Sequence, residues 1–186
     1  MTGSYARNLA PPELEPVRCL LNSWSISHRT REPEDLFDEV ASGRKTWSAV
    51  VPVLPRPIDM AELRRLRDDL RDVLGEGAPR NLARWLERYP LRVVLDSGTP
   101  RHAPPNGRCV EHVLALVVDA VAAGTWKRLR ACPDCRRVFY DRSRNLSRTW
   151  CGMYAEGPDG RACGSIAKVR RYRKRAQARL TQQGES

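Results

Sequence analysis

Most of the chain is short apolar clusters separated by polar, proline-rich breaks; before the last third, two stretches sustain a helical pattern. From Asp59 to Leu74, Leu63, Leu66, Leu70, Val73 and Leu74 recur three and four residues apart, which predicts an amphipathic helix. Asp59 stands at its N-cap, Glu62 occupies the capping-box position, and Gly75 and Gly77 stop it. The second stretch, Cys109 to Ala123, is largely apolar and ends at Gly124. It predicts the central helix of a first domain.

The weaker clusters predict smaller elements. After a loose lead-in ending at Pro11-Pro12, residues 16–26 carry Val17, Cys19, Leu20, Leu21, Trp24 and Ile26, a short buried element. Residues 28–34 read as a polar turn, and Glu34 to Val40 as a short helix with Leu36, Phe37 and Val40 inward. Pro52, Pro55 and Pro57 break regular structure. A helix is predicted over 79–89, a strand over 91–95, and a turn at Ser-Gly-Thr-Pro. Residues 101–108, with two prolines, read as a poor partner strand or a loop. No internal repeat is present.

Charge changes the picture. Through Trp126 the chain carries 17 Lys+Arg against 17 Asp+Glu; from Lys127 onward it carries 16 against 5. The whole excess of +11 therefore lies in the last third, the footprint of a polyanion-binding module. A solvated charged tail is the plainer alternative. The N-terminal residues lack the apolar stretch of a secretory signal, and the apolar run Val113 to Val118 is too short to cross a bilayer. A cytoplasmic, non-membrane protein with reduced thiols is expected.

Four cysteines lie inside the basic third. Cys132 and Cys135 form a Cys-x-x-Cys knuckle, Cys151 and Cys163 follow, and thiolates in two pairs suit one tetrahedral structural zinc. Four protein thiolates leave no open coordination position, which argues against a catalytic metal. Two disulfides, or unrelated buried pairs, are the competing readings. Cys19 and Cys109 read as buried structural thiols. His28, His102 and His112 share no ligand spacing, and His112 reads as a core histidine. Val138-Phe139-Tyr140 reads as a strand, with a hairpin tip around Asn145.

Beyond Cys163 a helix is predicted. Ile166, Val169, Tyr172, Ala176 and Leu180 share one face, able to dock on the metal knuckle. Lys168, Arg170, Arg171, Arg173, Lys174 and Arg175 (with Arg179) occupy the rest and are the candidate nucleic-acid contacts. Arg142, Arg144 and Arg148 around the hairpin tip are the supporting ones.

These motifs resemble the CGNR zinc finger family over residues 125–176. The resemblance rests on Cys132-Pro-Asp-Cys135, Phe139-Tyr-Asp-Arg-Ser-Arg-Asn145, Ser147-Arg148, Trp150-Cys151-Gly-Met153, Cys163-Gly164 and Ala167-Lys168-Val-Arg-Arg-Tyr-Arg. Ser165 and Ile166 stand where the family has Asn and Arg, and 154–162 carries an insertion with Gly-Pro-Asp-Gly. The family's finger commonly follows an ABATE domain, and Cys19-Leu-Leu-Asn22-Ser23 with the helix at 61–74 is similar to that domain. The resemblance implies a bacterial, stress-linked transcription regulator with a sensor domain and a C-terminal finger.

The expected fold is mainly α (α+β). A helical domain with a short β element over 1–126 precedes a small treble-clef-like zinc finger with a basic helix over 127–186. The expected function is non-enzymatic: a regulator binding double-stranded DNA, holding one structural zinc at Cys132, Cys135, Cys151 and Cys163. Its N-terminal domain would sense a ligand or mediate assembly, a homodimer being one form. Asn22 and Trp24 are pocket candidates, though the ligand residues are unknown and a Trp such as Trp24 is more often plain core. The alternative is a zinc module binding RNA or an acidic protein. No nucleophile elbow, phosphate-cradling loop or paired-carboxylate site stands out.

Overall fold

The structure is a computed structural model that describes residues 8–155 and 160–184, with side chains to residue 178. Residues 1–7 of the expected lead-in, residues 156–159 of the insertion expected within 154–162, and the side chains of Arg179 and Leu180 lie outside the described residues.

Three helices build the core: α1 (Glu15–Leu21), α4 (Met60–Arg71) and α6 (Cys109–Ala122) pack on one another. Val17, Leu20 and Leu21, then Leu63, Leu66 and Leu70, then Val113, Leu114 and Val117 are completely buried. Asp59 caps α4 as expected, accepting from Glu62 N at 3.0 Å. The Glu62 carboxylate pairs with Arg88 at 2.9 Å on α5 (Leu82–Arg88).

At the start of α6 the Glu111 carboxylate, 1% exposed, accepts from Asn106 N (2.9 Å), Asn106 Nδ2 (2.9 Å) and Arg108 N (3.3 Å). Burial alone would raise its pKa, but these donors, with the Arg108 charge, outweigh burial and hold it below the ordinary range.

The segment 16–26 is two elements rather than one. After α1 the chain runs into β1 (Trp24–Ile26), which pairs antiparallel with β2 (Pro33–Asp35). A polar strand with a leading proline carries no apolar alternation, so its pairing is set by its surroundings. Asp35 fixes it there. It caps α2 (Leu36–Ala41) by accepting from Phe37 N at 3.0 Å, and receives Arg67 through two bonds of 2.8 and 2.9 Å. Arg67 is 1% exposed, lies over the Phe37 ring, and also donates to Ser23 Oγ at 3.1 Å. A further short helix, α3 (Trp47–Val50), has Trp47 buried and its indole N–H donated to Leu54 O.

The strand expected near 91–95 is β3 (Arg92–Asp96). It pairs with β4 (Thr99–Ala103) across a two-residue turn, so Thr99 and Pro100 belong to a strand and not to the turn.

A short turn of 3₁₀ helix, Trp126–Arg128, with Trp126 completely buried, leads into β5 (Leu129–Ala131) and its antiparallel partner β6 (Val138–Tyr140). Strand alternation gives β6 two jobs. Val138 and Tyr140 join the large helical core, whereas Phe139 joins the four cysteines in a separate small one. The last helix, α7 (Cys163–Gly184), begins at the cysteine cluster. The described fold is mainly helical with small antiparallel strand pairs, as expected. No helix among the described residues is long and apolar enough to cross a membrane.

Candidate metal centre

Three local devices deliver the four cysteines of the cluster. Cys132 and Cys135 sit on a tight knuckle closed by Arg136 N to Cys132 O (2.8 Å) and Cys132 N to Arg137 O (2.9 Å), with Arg136 in the left-handed region at φ 60°. Cys151 lies within the loop between β6 and α7. Cys163 opens α7, whose start is pinned by Gly164 N to Gly152 O at 2.9 Å. Gly164 allows that approach: a Cβ there would lie 2.2 Å from Met153 Sδ and 3.3 Å from both Gly152 O and Trp150 Cδ1.

All four thiols are buried and none is in a disulfide, nor are those of Cys19 and Cys109. Cys135 and Cys151 sulfurs are 3.5 Å apart, Cys151 and Cys163 3.7 Å. A tetrahedron with zinc–sulfur bonds of about 2.3 Å has edges of about 3.8 Å, so the spacing fits a zinc site.

The electrostatics agree. Hydrogen bonds from Cys135, Cys151 and Cys163 hold the Cys132 thiol far below its ordinary range, and Cys135 is lowered to about 6. The same neighbours push Cys151 and Cys163 far up. Four thiols at this distance cannot all ionise unless a cation enters among them.

Residues 128–176 match the CGNR zinc finger family model. Among curated proteins, none matches the chain.

The finger's motif residues have physical roles. Asp141, completely buried, closes the hairpin tip by accepting from Ser143 N (2.8 Å) and Arg148 N (3.0 Å). Arg148 is turned into the finger: it lies over the Phe139 ring at 4.7 Å and donates to Trp150 O, Cys151 O and Asn8 Oδ1. Arg142 is exposed, donates to Leu9 O and lies over Tyr140; Arg144 is exposed.

On α7 the expected docking face is not covered. Cys163 and Gly164 are buried and residues 165–167 are half-buried, but 168–178 are exposed all round, with Val169 at 47% and Tyr172 at 73%. The small core around the cysteines is filled by Phe139 and Trp150, so only the first turn finds apolar surface to rest on. Lys168, Arg170, Arg171, Arg173, Lys174 and Arg175 therefore stand in solvent together. Arg170 also reaches Asp134 at 3.6 Å.

One site residue carries no sequence signal. His28, in the β1–β2 turn, places a ring nitrogen with the sulfurs of Cys135, Cys151 and Cys163 in a group whose members all lie within 4.8 Å of one another. It hydrogen-bonds Cys135 and helps lower that thiol, the role of an outer-shell donor that orients a ligand. Its turn is held to the knuckle by Ile26 N to Cys135 O at 2.9 Å, and by Arg31 donating to Asp134 O at 2.8 Å. Asp134 also accepts from Arg161 Nε at 2.6 Å. Spacing could not have found His28, because it lies more than a hundred residues from the knuckle.

The pocket candidates are placed too. Asn22 binds the backbone of Val138 in both directions, accepting from its N–H (2.7 Å) and donating to its C=O (2.9 Å). Trp24 lies under the Arg71 guanidinium at 4.7 Å, and Arg71 in turn donates to Leu21 O and Arg136 O. Burial, with Arg67 and Arg136 nearby, lowers the Arg71 pKa to about 10.

Proposed function

We propose that the protein is a zinc-containing DNA-binding transcriptional regulator. One structural zinc is held by Cys132, Cys135, Cys151 and Cys163, and α7 with the hairpin tip contacts duplex DNA. The observation that carries this reading is the solvent-exposed basic helix anchored at a metal ligand. Six cations between Lys168 and Arg175 surround a helix that no other described part of the chain covers from 168 to 178. An exposed helix with this charge suits a groove lined by phosphates. Arg142 and Arg144 add exposed cations, while Arg148 acts first by holding the loop that presents them.

The N-terminal region, through its resemblance to the ABATE domain, senses a ligand or mediates assembly. Its bonds to the knuckle through His28, Arg31 and Arg71, and to β6 through Asn22, would couple such an event to the finger. An open cavity of about 330 Å³, lined in part by Arg18, Cys19, Asn22 and Cys151, lies at that junction.

Binding of labelled duplex DNA, followed by anisotropy across a salt series, tests the reading. Replacing Lys168, Arg171, Lys174 and Arg175 by Ala should weaken binding and flatten the salt dependence by about 0.9 in log–log slope per lost phosphate contact. Unchanged affinity and slope would overturn it. Selection from random duplexes then shows whether a sequence is read. The exposed Tyr172 favours one second reading, single-stranded RNA, because an exposed aromatic among cations can stack on a base. RNA outcompeting duplex DNA, with Tyr172→Ala losing that preference, would favour it.

A further inference from the structure

The β3–β4 hairpin exposes apolar surface that the described residues leave uncovered. All five β3 residues are exposed, with Val93 at 66%, Val94 at 43% and Leu95 at 74%. A strand edge of this kind is a template for pairing unless it is blunted.

The two edges of the hairpin are treated differently. The turn residues Ser97 and Gly98 have φ of 49° and 81°, and such a two-residue turn fixes the alternation of the ladder. Asp96–Thr99, Val94–Arg101 and Arg92–Ala103 are then the hydrogen-bonded pairs, and the backbone groups of Val93 and Leu95 point away from β4.

On β4 the corresponding outer groups are protected. His102 N donates to Asp119 of α6 at 3.3 Å, its ring binds the same carboxylate at 2.6 Å, and Pro100 has no N–H to offer. On β3 there is no proline and no lysine. Among the described residues no loop backbone hydrogen-bonds Val93 or Leu95.

We propose that β3 pairs antiparallel with β3 of a second copy of this chain, about a two-fold axis at Val94. The segment Arg92-Val-Val-Leu-Asp96 is its own complement in that register. Val94 meets Val94, Val93 meets Leu95, and Arg92 meets Asp96, each of the last two pairs occurring twice. The Val93–Leu95 pairs use the outward N–H and C=O groups, giving about four backbone hydrogen bonds. An axis at Val93 or Leu95 instead sets Arg92 or Asp96 opposite Val94 and loses both charge pairs. The result is a four-stranded sheet across an isologous interface, with the three exposed aliphatic side chains packed cross-strand. This assembly does not depend on the nucleic-acid reading and can hold or fail without it.

Sedimentation velocity of the full chain over about a hundredfold range of concentration tests the proposal, dimer formation being set by mass action. The wild-type chain should pass from monomer to dimer. Arg92→Asp, which sets two carboxylates against each other at both ends, should weaken the dimer by about tenfold or more. The double variant Arg92→Asp with Asp96→Arg restores opposite charges and should recover the dimer, a result that misfolding cannot produce. A monomer throughout, a dimer indifferent to Arg92→Asp, or a double variant that stays dissociated would each overturn the proposal.

Discussion

Substituting Asn22 by Ala tests how the helical core holds the finger. The side chain makes two bonds to one residue of β6, accepting from Val138 N at 2.7 Å and donating to Val138 O at 2.9 Å. Val138 is 2% exposed, so its N–H has little water to turn to. The carbonyl keeps a weaker donor, Arg18 Nη1 at 3.4 Å, which leaves the N–H as the orphaned group. An unsatisfied buried donor costs about 1–3 kcal/mol, and the second bond adds about 0.5–1. The expected loss is thus about 1.5–4 kcal/mol, or about 3–16 °C in Tm for a chain of this size. Urea and thermal unfolding followed by circular dichroism measure it. A second readout is zinc release to a chelator, which should quicken because β6 lies between Cys135 and Cys151. A loss under about 0.5 kcal/mol, the range of ordinary surface substitutions, with unchanged zinc release, would refute the reasoning.

Other perturbations probe the remaining parts. Native mass spectrometry should find one zinc per chain, lost in Cys163→Ser with a fall in Tm; a metal-free chain of unchanged stability would rule out the site. Asp35→Asn removes one of the two carboxylates that pair with the buried Arg67, Asp68 at 2.8 Å being the other, and should cost about 1.5–3 kcal/mol in urea unfolding. Gly164→Ala must displace Met153 Sδ and press on Gly152 O, and should cost about 1–2 kcal/mol by the same assay. Glu111 has its folded pKa held below its unfolded value, so its contribution is full above the ordinary glutamate range and is lost as pH falls through the folded pKa. The stability gap between wild type and Glu111→Gln should therefore be constant near neutrality and close below about pH 4; a gap that widens on acidification would contradict the assignment.

The parts legible in the sequence were those fixed by local pattern. The Leu63, Leu66, Leu70 repeat gave α4 and its buried face, with Asp59 as its cap, because periodicity and capping act within a few residues. The thiol spacing gave the cluster, because a knuckle is a local turn. Elsewhere the sequence was ambiguous. Residues 33–35 and 99–103 are strands despite prolines and charges, since β2 is held by Arg67 through Asp35 and β4 by Asp119 on α6. The apolar stripe of α7 read as a docking face, yet Phe139 and Trp150 already fill the small core and leave Val169 and Tyr172 in solvent.

Composition and spacing alone determined a mainly helical chain with a four-thiol cluster and a net charge of +11 confined to the last third. Charge is counted along the chain, and the knuckle ligands Cys132 and Cys135, with two residues between them, meet in one local turn whatever else folds. Only the tertiary structure decided what surrounds that cluster. It brought His28 beside Cys135 and locked Asn22 onto Val138. It also turned Arg148 inward while leaving Lys168 to Arg175 outward. Contacts between residues a hundred or more positions apart depend on how α1, α4 and α6 pack, and no local pattern encodes which distant side chain that packing delivers.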